Sequence, residues 1–206
     1  MAPPPFPPDA GYISPPGDKA ALRRMLRTRR RGLAADRPAA SQALVRWTAD
    51  LPVADWAGQV VSVYLADAVE IDPAPLADAL AARGARIVLP VAVAKDRPLV
   101  FRPSVPGGAL VPDAAGIPAP PPTQPDLVPD VAFAPLLGFD RFGGRIGQGG
   151  GYYDRTLAAL RASAPVTVIG LAYAGQACPR LPMDDHDQRL DGVLTEEGYR
   201  AASSEQ

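Results

Sequence analysis

The residues best suited to chemistry lie in one stretch, 139–155, which reads FDRFGGRIGQGGGYYDR. Six of the nine residues over 143–151 are glycine. Lacking a Cβ, a glycine run lets a ligand approach the backbone closely, and its successive N–H groups form a concavity for anions. An apolar run, VAFAPLL (131–137), precedes it, and a segment of helical spacing, YYDRTLAALRAS (152–163), follows it. A helix start adds unpaired N–H groups and partial positive charge. Strand, glycine loop and helix together make a phosphate site. Its expected contributors are Gly147, Gly149, Gly150, Gly151 and the first helical residues, Tyr152, Tyr153 and Asp154. Arg145 and Arg155 add charge-assisted bonds to phosphate oxygens. The stretch lacks the Gly-Lys-Ser/Thr ending of a P-loop. It is not G-x-G-x-x-G either, because Tyr152 stands at the sixth position when Gly147 is the first.

Other candidates lie apart in sequence. Lys19 and Arg23 are four residues apart in KAALR, so a helix projects both from one face. Arg29, Arg30 and Arg31 read as an ordinary solvated face. Glu70 falls just past a short β-branched run, where an α/β sheet presents ligand contacts. Asp140 fits a turn in which a short acidic side chain bonds its own backbone. His186, the only histidine, reads as a loop or surface residue, and Cys178, the only cysteine, as a small buried one. One cysteine and one histidine leave no zinc site in prospect.

The elements that position these residues follow from patterning. Asp18 caps a helix, KAALRRMLRTRRRGLA, with Leu22, Met25, Leu26 and Leu33 on one face. Pro38 starts a second helix, with Leu44, Trp47 and Leu51 on its buried side. QVVSVYL (59–65), RIVLPVAV (86–93), VAFAPLL and VTVIGLAY (166–173) are continuous apolar runs, as in strands buried on both faces. PLVFRP is an edge strand, DPAPLADALAARG a helix, and GVLT a short last strand, after which Thr195 caps a terminal helix. Residues 103–129 hold nine prolines and form a long loop. The alternation predicts an α/β fold: a mostly parallel sheet with helices on both faces, in three layers.

Residues 1–17 hold seven prolines and are expected to be a disordered tail, leaving 18–206 as a single domain. A net charge of −1 gives no bulk reason to expect nucleic acid or membrane partners. A lone cysteine fits a reducing, cytoplasmic setting. Arginine outnumbers lysine 19 to 2, which carries no function by itself.

PLLGFDRFGGRIGQGGGYYDR resembles the signature of the 5-formyltetrahydrofolate cyclo-ligase family, roughly FDxxGxRLGxGxGYYDR. Phe139, Asp140, Gly143, Arg145, Gly147, Gly149, Gly151, Tyr152, Tyr153, Asp154 and Arg155 fit it. KAALR, VSVYLADAVEID and HDQRLDGVLTE are similar to other family segments, so the likeness runs from about 18 to 198. Ile146, Gly144 and Gln148 depart from commoner family residues. The resemblance implies ATP-dependent ring closure of 5-formyltetrahydrofolate, with or without a polyglutamate tail, to 5,10-methenyltetrahydrofolate. It implies ATP and Mg²⁺ as cofactors, and a monomer without nucleic acid or membrane partners. Lys19, Arg23 and Arg145 take the catalytic phosphate-gripping roles. Leu65, Glu70, Gln148 and Tyr153 contact the folate, and Asp154 and Asp191 hold the magnesium. Two other readings stay open: a paralogue acting on another formylated amine, and a nucleotide- or folate-binding protein without catalysis.

Overall fold

A computed structural model describes residues 18–204. The expected tail over 1–17 lies outside the described residues. Helix α1, Lys19–Asp36, begins as its sequence demands. The Asp18 carboxylate accepts the Ala20 and Ala21 N–H groups at 2.9 and 3.1 Å. Leu22 and Leu26 are fully buried against Leu137, Ile146, Cys178 and Leu181.

The second helix is shorter than expected. Helix α2 covers Ala40–Ala43, and a 3₁₀ segment, Leu44–Asp50, replaces its continuation. No side chain caps α2, since Ala39 stands at the N-cap. Leu44 and Leu51 are buried as anticipated, while Trp47 is only partly so and donates its indole N–H to the Glu196 carbonyl.

The remaining elements are β1 (Val60–Ser62), α3 (Ala74–Ala81), β2 (Arg86–Val91), β3 (Val100–Pro103), β4 (Val111–Pro112), β5 (Pro118–Ala119), β6 (Val131–Pro135), β7 (Gly138–Phe139), β8 (Arg145–Ile146), α4 (Tyr152–Ser163), β9 (Thr167–Leu171), β10 (Gly192–Thr195) and β11 (Gly198–Ala201). Seven strands form the main sheet in the order β11-β10-β9-β6-β1-β2-β3. The five inner strands are parallel, and the two edges, β11 and β3, pair antiparallel.

Strand side chains alternate between two cores. Val131 and Phe133 of β6, with Ile169 and Leu171 of β9, meet Leu44, Trp56, Leu76 and Leu80 on one face. Ala132, Ala134 and Val168 meet Leu157 of α4 on the other. Helices therefore cover both faces, as the alternation predicts. Because α4 joins parallel β6 to β9, it runs back along the sheet. Its first turn lies at the carboxyl ends of the strands and its last turn at their amino ends.

One element differs in type. The residues after Thr195 form β11 rather than a helix, paired with β10 from Thr195↔Gly198 to Gly192↔Ala201. Thr195 does serve a turn: its hydroxyl accepts the Glu197 N–H and donates to the Gly198 carbonyl. The long proline-rich loop carries the β4–β5 hairpin, whose Asp113 side chain accepts the Ala92, Ala115 and Ile117 N–H groups. No described helix is long and apolar enough to cross a membrane.

Candidate active site

At the carboxyl ends of β1, β2 and β6 a cavity of about 940 Å³ opens. Its walls come from elements distant in sequence. The start of α1 supplies Lys19 and Arg23, and its fourth turn Arg30. The chain beyond β1 supplies Leu65 and Glu70, and the glycine loop and first turn of α4 supply residues 145–155. The β4–β5 hairpin adds Ile117, and the segment before β10 adds Asp184, His186 and Asp187.

The glycine loop is built to leave its backbone open. The β7–β8 hairpin anchors its base. The Asp140 carboxylate, nearly fully buried, accepts N–H bonds from Phe142, Gly144 and Leu181 at 2.9 Å each, which is the backbone role expected of it. Gly149 and Gly151 have φ of 103° and 66°, the left-handed region that disfavours side chains. A Cβ on Gly149 would sit 3.3 Å from the Arg23 guanidinium carbon, and one on Gly151 2.6 Å from an Arg155 nitrogen. Gly151 is the N-cap of α4 and offers no side chain, so the first-turn N–H groups are left for another partner.

The basic residues have defined jobs. Arg145 is buried, and its guanidinium donates to Asp154 Oδ1 at 2.7 Å. Its Nε has no partner among the described residues. Arg23 donates through Nε to the Gly147 carbonyl at 3.2 Å, and Arg27 grips the Gln148 carbonyl and side-chain amide. Helix α1 thus braces the loop that it faces. Gln148, expected at the folate, lines the cavity, and its side-chain carbonyl accepts from Arg27 at 2.8 Å. Lys19 lies 2.6 Å from Asp184 and 2.5 Å from Asp187. Partial burial disfavours its ammonium, but the two carboxylates outweigh that and raise its pKa. Desolvation likewise opposes the Asp187 carboxylate, yet the Asp184 N–H and Lys19 hold its pKa below the usual value.

Across the cavity, Leu65 is 45% exposed and offers an apolar surface. Glu70 lies in a tight turn in which Asp67 Oδ1 accepts the Val69 and Glu70 N–H groups, and Glu70 Oε2 accepts the Asp67 N–H. Arg30, read from sequence as solvated, is 3% exposed and donates to Glu70 Oε1 at 2.8 Å and Asp67 Oδ2 at 3.1 Å. The signal was present: Leu22, Leu26 and Arg30 recur every four residues along one helix face. Tyr153 packs its ring against the α4 core, and its buried hydroxyl has no partner among the described residues. Burial raises its pKa above the ordinary phenol range, the Glu70 charge adds to that, and Arg145 opposes it.

Asp191 requires a correction. It does not line the cavity. Its Oδ2 accepts the Val168 N–H at 2.7 Å and an Arg161 N–H at 3.3 Å, at the amino ends of the strands. Arg161 lies seven residues beyond Asp154 on α4, about 10 Å along the axis. The structure therefore does not bring Asp191 to Asp154. Among the described residues no group of three metal-ligating side chains stands together. Asp154 does line the cavity; Arg145 and the Gln188 N–H both bond its Oδ1, which leaves Oδ2 for another partner. His186 is exposed at the cavity, and Cys178 is buried.

Comparison with known proteins bears on this arrangement. The family model described as the 5-formyltetrahydrofolate cyclo-ligase family matches residues 16–196. A 5-formyltetrahydrofolate cyclo-ligase of Mycolicibacterium smegmatis is 34% identical over 192 residues, covering 87% of this chain and 94% of the relative. One from Escherichia coli is 33% identical over 178 residues, covering 83% and 96%. The solved structure of Aquifex aeolicus 5,10-methenyltetrahydrofolate synthetase superposes with a TM-score of 0.72 at 26% identity, covering 91% of this chain and 94% of that one. A Mycoplasma pneumoniae 5,10-methenyltetrahydrofolate synthetase, at 24% identity and TM-score 0.64, shares the fold.

Proposed function

The chain belongs to the 5-formyltetrahydrofolate cyclo-ligase family, and from that membership we propose how its cavity performs the reaction. 5-Formyltetrahydrofolate is closed to 5,10-methenyltetrahydrofolate while ATP becomes ADP and phosphate. The formyl oxygen is a poor leaving group. Transfer of the γ-phosphoryl group to that oxygen makes it a phosphate ester. Nitrogen 10 then attacks the formyl carbon, its proton is lost, and phosphate departs with the oxygen. No enzyme nucleophile takes part, so the protein's contribution is positioning and charge stabilisation.

The observation that carries this reading is the division of one cavity into two kinds of wall. Arg145, Lys19 and the open backbone over 147–151 form a wall suited to phosphates. Glu70 and Leu65 form a wall suited to a flat heterocycle with N–H donors. Arg145, one arm of which is fixed by Asp154, meets the transferring phosphoryl group with the rest of its guanidinium. Lys19 exchanges Asp184 and Asp187 for phosphate oxygens. Arg23 braces the loop and presents the rest of its guanidinium to the nucleotide. The Tyr153 hydroxyl, acted on by both Glu70 and Arg145, donates to the folate or the phosphoryl oxygen.

Magnesium fits the donor set, since Asp154 offers a hard carboxylate oxygen and Mg²⁺ commonly takes one or two carboxylates beside phosphate and water. When bound, the ion neutralises charge on the phosphates. Asp191 has no part in holding it in this proposal. A cytoplasmic monomer completes the reading. The test is turnover with ATP and 5-formyltetrahydrofolate, followed by the absorbance of the methenyl product, in two variants. Arg145→Gln should raise KM for ATP and lower kcat. Glu70→Gln should raise KM for the folate and leave KM for ATP within about twofold. Equal effects of both variants on both substrates would contradict the two-wall assignment.

A further inference from the structure

We infer that Arg30 is a positioning residue that sets Glu70 as a fixed acceptor for the folate. The inference rests on the assignment of Glu70 to the folate wall. Arg30 lies on the fourth turn of α1, in the phase of Leu22 and Leu26, and its side chain is 4% exposed. A guanidinium so far from water needs partners, because an uncompensated buried charge is strongly unfavourable. It has two, both in the turn that carries Glu70: Glu70 Oε1 at 2.8 Å and Asp67 Oδ2 at 3.1 Å. The planar fork spans both carboxylates, which a lysine ammonium does as a point charge without directional constraint.

The turn is closed from its own side as well. Glu70 Oε2 accepts the Asp67 N–H at 3.1 Å, and the Glu70 carbonyl accepts the Tyr173 hydroxyl at 3.3 Å. Each Glu70 oxygen therefore has one bond from the protein, and each keeps acceptor capacity for a ligand. The result is a carboxylate held in one rotamer before substrate arrives. Such preorganisation is recovered as affinity, because the ordering cost is not met at binding. Arg30 itself lines the cavity, yet Nη1 and Nη2 are committed to the turn, and its Nε, which has no partner among the described residues, is buried away from the cavity surface. Its action on the folate runs through Glu70.

Three variants test this: Arg30→Met, Arg30→Lys and Glu70→Gln, with the Arg30→Met/Glu70→Gln double variant. Arg30→Met should raise KM for 5-formyltetrahydrofolate about tenfold, the scale of one charge-assisted bond, with KM for ATP within about twofold. Arg30→Lys should recover part of that loss, and it keeps the test alive if Arg30→Met does not fold. In the Glu70→Gln background, Arg30→Met should add little, since its route to the substrate is already gone. Equal increases in both KM values with a lowered Tm would assign Arg30 to general stability and overturn the inference. So would full additivity of the two substitutions. If Glu70→Gln leaves the folate KM unchanged, the Glu70 assignment fails and the inference falls with it. A large effect of Glu70→Gln beside silent Arg30 variants refutes the Arg30 inference alone.

Discussion

Tyr153→Phe should move stability and affinity in opposite directions. The perturbation removes one oxygen atom. In the empty cavity that hydroxyl is buried without a partner among the described residues, while the ring packs against the core beneath α4. An unsatisfied buried polar group costs about 1–3 kcal/mol, and phenylalanine keeps the ring contacts. The variant should therefore be as stable as the wild type or more so, with a gain near 1 kcal/mol appearing as about 2–4 °C in Tm for a domain of this size. With ligands bound, the wild-type hydroxyl has a partner and the variant has none. Losing one ordinary hydrogen bond, about 0.5–1.5 kcal/mol, corresponds to roughly 2- to 10-fold in kcat/KM. Burial keeps the phenol neutral, so the loss should be the same from about pH 6 to pH 9, below even an ordinary phenol pKa. The assay is a melting curve without ligands, beside kcat and KM for each substrate at several pH values. A lowered Tm with unchanged kinetics would refute the reasoning, because it would mean that the hydroxyl is satisfied within the protein.

A Cβ on Gly147 would meet no protein atom within 4 Å, so Gly147→Ala should fold normally; a rise of about tenfold in KM for ATP would report the space that the nucleotide needs, and unchanged KM would show that it does not approach there. Asp191→Asn loses charge opposite Arg161 and weakens the bond to the Val168 N–H. It should lower Tm by a few degrees and leave the magnesium dependence of turnover unchanged, whereas Asp154→Asn should cut kcat at least tenfold and improve as magnesium is raised. Burial pushes the Cys178 thiol up to about 11, so it should resist thiol reagents at neutral pH until denaturant is added; rapid labelling of the native protein would contradict its placement.

Legibility of these features tracked how local their causes were. The inner strands announced themselves as apolar runs, because strands covered on both faces need no polar alternation. The glycine stretch announced itself because backbone in the left-handed region, as at Gly149 and Gly151, is what glycine permits. Arg30 was obscured by its neighbours Arg29 and Arg31, and only its spacing from Leu22 and Leu26 marked it as buried. Asp191 lies close in sequence to Asp187, which lines the cavity, but β10 begins at the opposite end of the sheet. That separation depends on strand direction, which no local pattern contains. After Thr195, the acidic TEEG segment looks like a helix start. Pairing of Tyr199 and Arg200 with β10 overrides that preference. The place of Gln148 at the folate is what the family resemblance implies, whereas its bonds from Arg27 depend on the packing of α1, which no local pattern contains.

The central claim is that phosphate leaves carrying the formyl oxygen. It is tested most directly by following that atom. 5-Formyltetrahydrofolate labelled with ¹⁸O in the formyl group is turned over with unlabelled ATP, and the released inorganic phosphate is analysed by mass. The mechanism predicts one labelled oxygen in each phosphate formed, in step with the methenyl product. Methenyl product formed while the phosphate stays unlabelled, its ¹⁸O lost to water, would contradict phosphoryl activation.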